Sequence, residues 1–146
     1  MPIPLTSSSQ RLADAGLRGV LLGMGVVAAT TGVSVAARGA GAIPGGAAGA
    51  ASNDSVMRFY AVWWAAQAPS LWRLSCSPNL PRDHVDAVCL TTFLGGLARL
   101  ASLRQAGAPH PLFRALTVSE LLLPPALMIL RRRLPDQLVA DRPTPR

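Results

Sequence analysis

Charged residues divide the chain into four apolar blocks. The first is the longest: residues 19–37 read GVLLGMGVVAATTGVSVAA and lie between Arg18 and Arg38. A run of this length just reaches across a bilayer as a helix. It predicts a helix over 17–37, preceded by a flexible polar tail over 1–16 in which an amphipathic lead begins near Arg11. Gly19, Gly23, Gly25 and Gly32 would let neighbouring helices approach closely. The Val35-Ala36-Ala37 sequence has some features of a signal-cleavage site. The apolar run is longer than a signal core, so the helix is expected to be retained.

Residues 39–50, GAGAIPGGAAGA, have the composition of a flexible linker. Asn53, Asp54 and Ser55 then offer caps for a second helix over 56–74. Its uncharged centre covers only 59–72, so Arg58 and Arg73 belong near the two membrane interfaces, where long side chains can snorkel. Pro69 predicts a kink. Trp72 is placed as an interfacial anchor, while Trp63 and Trp64 lie deeper and read as packing residues. A loop over 75–86, with Pro78 and Pro81, leads to a third helix over 85–103. Asp83 or Asp86 could cap it, and Gly95-Gly96 reads as a close-packing position. After a turn over 105–111, a fourth helix covers 112–130 and contains Glu120 and Pro124-Pro125. The tail over 133–146 is polar and proline-rich and is expected to be mobile.

The pattern therefore predicts an all-α fold, a bundle of four transmembrane helices over 17–132. Four spans return the C-terminus to the side where the N-terminus began. One set of ends and loops carries Arg11, Arg18, Arg73, Arg82, Arg131, Arg132 and Arg133; the other carries Arg38, Arg104 and Arg114. The richer side is expected to be cytoplasmic, with both termini there.

Composition narrows the function classes. The formal net charge is +7 and every basic residue is arginine. Most arginines flank apolar segments, and Arg131-Arg132-Arg133 directly follows one. This is the placement of a topology signal, so no nucleic-acid partner is expected. Cys76 and Cys89 have no Cys/His cluster around them and read as small apolar fillers. His84 and His110 fall in loops on opposite faces and cannot share a metal. No Ser–His–Asp arrangement or redox, haem or nucleotide motif is present, so no catalytic set, metal or cofactor is assigned.

Three charges sit inside or at the edge of apolar blocks: Arg58, Arg99 and Glu120. Such groups are costly in hydrocarbon and usually face a bundle interior. Alternating helix directions put Arg58 near the outer end of helix two and Arg99 in the outer part of helix three. Glu120 lies roughly 12 Å into helix four at 1.5 Å per residue. All three could meet in the outer half of the bundle. Asn53, Asp54 and Tyr60 lie nearby, and Asp54–Arg58 is an i,i+4 pair. One carboxylate between two arginines suits a structural network that fixes helix register. The surplus positive charge also suits an outer cavity for a small anion or polar metabolite.

At these same residues the chain resembles the bacterial domain-of-unknown-function family 4345. The resemblance rests on Asn53, then Arg58-Phe59-Tyr60-Ala61, then Phe93-Leu94-Gly95-Gly96-Leu97-Ala98-Arg99-Leu100. Gly107-Ala108-Pro109, Phe113, Glu120-Leu121 and Pro124 complete it, over roughly residues 17–132. It implies a small four-helix protein of the bacterial inner membrane and supplies no activity, substrate or cofactor. Where the family commonly has a glycine-rich stretch after the RFY element, this chain has Ala61-Val62-Trp63-Trp64-Ala65-Ala66-Gln67-Ala68-Pro69. The absence of lysine beside abundant Ala and Arg fits a GC-rich bacterial source.

Three readings follow. The first is a non-enzymatic multi-pass protein with a structural or interaction role, pairing with a second copy or a membrane-protein partner through glycine-rich faces. The second is a small transporter or binding protein for an anionic or polar molecule. The third is a membrane-embedded enzyme with Glu120 as acid or base. In all three the lipid bilayer is the immediate partner.

Overall fold

The computed structural model describes residues 7–47, 49–78 and 80–134. Four α-helices make up this part: α1 (Ser7–Arg38), α2 (Ala51–Cys76), α3 (Arg82–Ala106) and α4 (Pro111–Arg133), with a short 3-10 turn at Gly39–Ala42. Each helix is longer than its apolar block. Backbone hydrogen bonding continues through the polar residues at a membrane surface, whereas an apolar pattern stops at the last oily side chain. The largest correction is at the start, where α1 takes in residues 7–16 of the tail expected to be flexible. Residues 1–6 and 135–146, on which the rest of the two tails falls, lie outside the described residues.

The expected helix starts also shift. α2 begins at Ala51 with no side-chain cap, so Asn53, Asp54 and Ser55 are inside the helix. Arg82 opens α3 behind Pro81, and Asp83 lies in its first turn. α4 opens with Pro111, whose missing N–H is harmless there. His110 Nδ1 accepts from the Leu112 N–H at 3.3 Å. α3 ends at Gly107, whose φ of +89° and ψ of −176° suit glycine alone. The linker after α1 is partly folded: Gly39 and Ala40 are buried.

α1 and α2 form one antiparallel hairpin, α3 and α4 the other. The first is joined by small residues. Gly25 leaves the space that the Trp72 indole occupies, and Gly32 lies against Ala61 and Ala65. Ala28, Ala61 and Ala68 are buried as well. On α1 the seam runs through positions 18, 21, 25, 28 and 32; on α2 through 58, 61, 65, 68, 72 and 75. Alternating steps of three and four are the repeat that keeps two helices in contact along a left-handed supercoil. The hairpins dock on each other at the arginine-rich end. Leu17, Leu21, Leu71, Leu80, Val85, Cys89, Leu127 and Leu134 form the core there.

Three segments are long and apolar enough to cross a membrane: Ser8–Ala42, Arg82–Ala106 and Pro111–Arg133. α2 does not meet that measure, because Asn53, Asp54, Arg58, Gln67 and Arg73 dilute its apolar face. Many large apolar side chains, among them Val33, Val62, Leu94, Leu122 and Ile129, point outward. Outward apolar surface on this scale belongs against lipid. The chain is a multi-pass, all-α membrane protein.

Candidate functional site

The first charged position is built by the α1–α2 hairpin. Arg58 Nε donates to Asp54 Oδ2 at 2.7 Å, one turn earlier on α2. Its Nη1 donates to the carbonyls of Ala36 and Ala37 at 2.8 and 2.9 Å. Those carbonyls lie in the last turn of α1, where no following helical N–H is available. Arg58 therefore caps α1 from α2 and places a cation at the negative end of the α1 dipole. Gly39, at φ +64°, leaves the room: a Cβ there would collide with Asp54 Oδ1 and come within 2.8 Å of Arg58 Nη2. The Arg58 hydrogen bond holds the Asp54 carboxyl below the usual carboxylate range, and the Ala40 backbone N–H adds to the same shift.

The opposite end of the hairpin repeats this arrangement. Arg18 Nε donates to Asp14 Oδ2 at 2.7 Å, again one turn earlier on the same helix. Its guanidinium also donates to the carbonyls of Ser75, Ser77 and Pro78, at the end of α2. Each helix thus carries a DxxxR pair near its start that closes the end of the other. The sequence reading missed Asp14 and Arg18. The signal was the matching spacing in DAGLR and DSVMR.

The second charged position belongs to the α3–α4 hairpin. Arg99 Nε lies 2.9 Å from Glu120 Oε2. Gly96, one turn before Arg99, permits this approach: a Cβ there would sit 3.0 Å from the Glu120 Cβ. Gly95 faces open space, so only one of the two glycines serves close packing. The Arg99 Cζ also lies 5.5 Å from the Phe113 ring centre, within range of a cation–π contact. The N–H of Arg99 is poorly directed, however. Glu120 Oε2 is enclosed and receives no well-formed hydrogen bond. The Arg99 side chain remains partly open, at 42% exposure.

The expected single cluster is thus two ion pairs, one in each hairpin. Among the described residues no ion pair joins Arg58 to Glu120. Helix direction alone brought the three charges to one level. Pairing α1 with α2 and α3 with α4 then separated them around the bundle. Asp54 joins Arg58, whereas Asn53 is exposed, and Tyr60 is 66% exposed with its ring packed edge-on against Phe59. Trp63 is likewise outward-facing rather than packed. Trp64 Nε1 donates to Thr31 Oγ1 at 2.9 Å, and Trp72 fills the Gly25 notch. Cys89 is buried and Cys76 exposed. Among the described residues no group of three or more His, Cys, Asp or Glu could hold a metal ion.

No curated protein and no solved structure gives a significant match to this chain. Its residues 16–131 match the family model described as Domain of unknown function (DUF4345), which takes in all but the outer parts of α1 and α4, and the chain belongs to that family.

Proposed function

We propose that the chain is a four-span protein of the bacterial inner membrane, with both termini cytoplasmic and a structural or interaction role. The reciprocal arginine caps of the first hairpin carry this reading. Arg18 and Arg58 spend their donors on carbonyls of the facing helix and on their own i−4 aspartates. Arginines so engaged set helix register and have little left for a ligand. The caps also bear on α2. A helix fixed to both ends of a spanning partner must run the same distance, so α2 crosses beside α1 despite its polar residues. Gly16, Gly19 and Gly23 face open space on α1, which suits close approach of a helix from another subunit.

Topology and role are tested separately. Fusion reporters in the loop over 75–86 and at the C-terminus should both report cytoplasm; either one outside would overturn the four-span reading. For the role, Glu120→Gln in detergent-purified protein should lower the thermal unfolding midpoint, because it removes the charge that holds Arg99. Unchanged stability would sink the structural reading of that pair.

The partly open Arg99 and the poorly bonded Glu120 Oε2 favour one second reading, a site for a small anionic or polar molecule between α3 and α4. A ligand screen on the wild type and on Glu120→Gln addresses it. Stabilisation by a small anion that disappears in the variant supports binding. Equal responses of the two proteins count against it.

A further inference from the structure

The second hairpin is weakened at one level in both of its helices. Pro124 and Pro125 have no N–H to offer, so the carbonyls of Glu120 and Leu121, four residues earlier on α4, lose their helical partners. Across from them on α3 is Gly95-Gly96. A Cβ at Gly96 would lie 3.0 Å from the Glu120 Cβ and 3.1 Å from Leu121 Cδ2, so the glycine pair faces the turn that the prolines weaken. Glycine holds a helix less firmly than any residue but proline.

The same level divides the hairpin by packing. On the arginine-rich side, Val85, Cys89, Leu127 and Leu134 belong to the core where the hairpins dock, and Arg131 is tied to the Leu80 carbonyl. On the other side, among the described residues, nothing on α3 after Gly96 is buried, and on α4 before Pro124 only Thr117 is. α1 meets the second hairpin through Leu17 and Leu21, at the docked end. The first hairpin has no such division. α2 carries Pro69, but Ala68 and Leu71 beside it are buried, and Arg18 and Arg58 tie its two ends to α1.

We infer that residues 97–119, the outer arm of the second hairpin, swing as one body about a hinge at Gly95-Gly96 and Pro124-Pro125, opening and closing the space between the hairpins. Few buried contacts oppose the motion, and the glycines and prolines absorb it. The two helices of the arm travel together. Arg99 Nε lies 2.9 Å from Glu120 Oε2, beside the hinge, and the Arg99 Cζ lies 5.5 Å from the Phe113 ring centre. A light contact latches the arm at its tip: a Cβ on Gly45, in the linker of the first hairpin, would sit 3.3 Å from the His110 Cβ. Thr117, Glu120, Pro124, Leu127 and Arg131 follow the three-and-four spacing of one helix face. Leu127 on that face packs with Leu17 and Leu21 of α1, so an outward swing uncovers its far part, Thr117 and Glu120. The hinge requires no ligand at Arg99 and holds whichever side of the membrane the arm faces.

The test uses full-length protein in lipid nanodiscs, in a Cys76→Ser, Cys89→Ala background, with spin labels at exposed positions. Pulsed dipolar spectroscopy reads three pairs: Arg38→Cys with Arg104→Cys across the outer ends, Arg73→Cys with Arg133→Cys across the docked end, and Arg104→Cys with Arg114→Cys within the arm. The outer distance distribution should be about twice as wide as the other two. Gly95→Ala with Pro125→Ala adds a Cβ in open space and restores an N–H at an exposed position, so it should fold normally. It should narrow the outer distribution to about the width at the docked end. His110→Ala should move the outer distribution to longer distances. Equal widths at the two ends of the unmodified hinge, or an outer width unchanged in the Gly95→Ala, Pro125→Ala protein, would overturn the hinge. A within-arm distribution as wide as the outer one would mean that the arm frays instead of swinging, against the inference. An outer distribution unmoved by His110→Ala would remove the latch.

Discussion

Arg58 and Arg18 have the same task at opposite ends of one hairpin, and only half of it could be read from residue order. An aspartate four positions before an arginine on a helix is a recognisable pair. The rest of each guanidinium goes to backbone carbonyls of the other helix, which have no sequence signature. The Arg99–Glu120 meeting was legible because both groups lie in oily surroundings and each needs the other. Asp54 gives the residue scale its pH dependence. Its carboxyl titrates lower in the folded protein than in the unfolded chain. Between those two values the unfolded chain binds more protons, so stability rises with pH. The contribution is complete above about pH 4 and is lost as pH falls through the lowered folded value. In acid unfolding, wild type should therefore exceed Asp54→Asn in stability at pH 5, and the gap should shrink towards pH 2. A gap that stays constant over that range would mean the charge on Asp54 does not matter to the fold.

At the scale of elements, all four helices were visible as apolar blocks, and their ends were not. Hydropathy reports what lipid touches, whereas helix length follows backbone bonding beyond it. The packing of α1 on α2 was visible only as a supply of glycines. Which glycines matter depends on the face each one presents, and that requires the partner helix. Gly32 is pressed against backbone: a Cβ would lie 2.7 Å from the Ala61 carbonyl oxygen. Gly25 instead makes room for a side chain, Trp72. The two positions should respond differently. Gly32→Ala should cost about 1–3 kcal/mol, as overpacked cores do, and no truncation on α2 should restore it. Gly25→Leu should be destabilising alone and partly recovered by Trp72→Ala, because the indole is what the new side chain meets. Gly95→Ala, into open space, should be neutral or stabilising by up to about 1 kcal/mol. Denaturation in detergent checks the set. Equal effects at Gly32 and Gly95 would contradict the close approach of α1 to α2.

For the whole molecule, the decisive feature is that two hairpins meet at one end. Sequence order implied four spans around a common centre, so charges at one level were expected to touch. The centre is instead split by hairpin pairing, and docking is left to a core beside the arginine-rich loops. Arg131 holds this joint. It is buried, and its Nε donates at 2.8 Å to the carbonyl of Leu80, on the connection between the hairpins. Removing a buried charged donor leaves that carbonyl unpaired and should cost about 3 kcal/mol. The loss should appear as opening between hairpins rather than as melting within them. Cys89 reports the difference, because it is buried in the joint whereas Cys76 is exposed. In a Cys76→Ser background, Arg131→Gln should keep its helical content at room temperature. Its Cys89 should react with a membrane-permeable maleimide about 100-fold faster, since about 3 kcal/mol is a little over two decades in the open population. Arg58→Gln, which loosens only the far end of the first hairpin, should leave the Cys89 rate nearly unchanged. A similar acceleration in both variants would mean that the bundle opens as one unit and that the two-hairpin description fails.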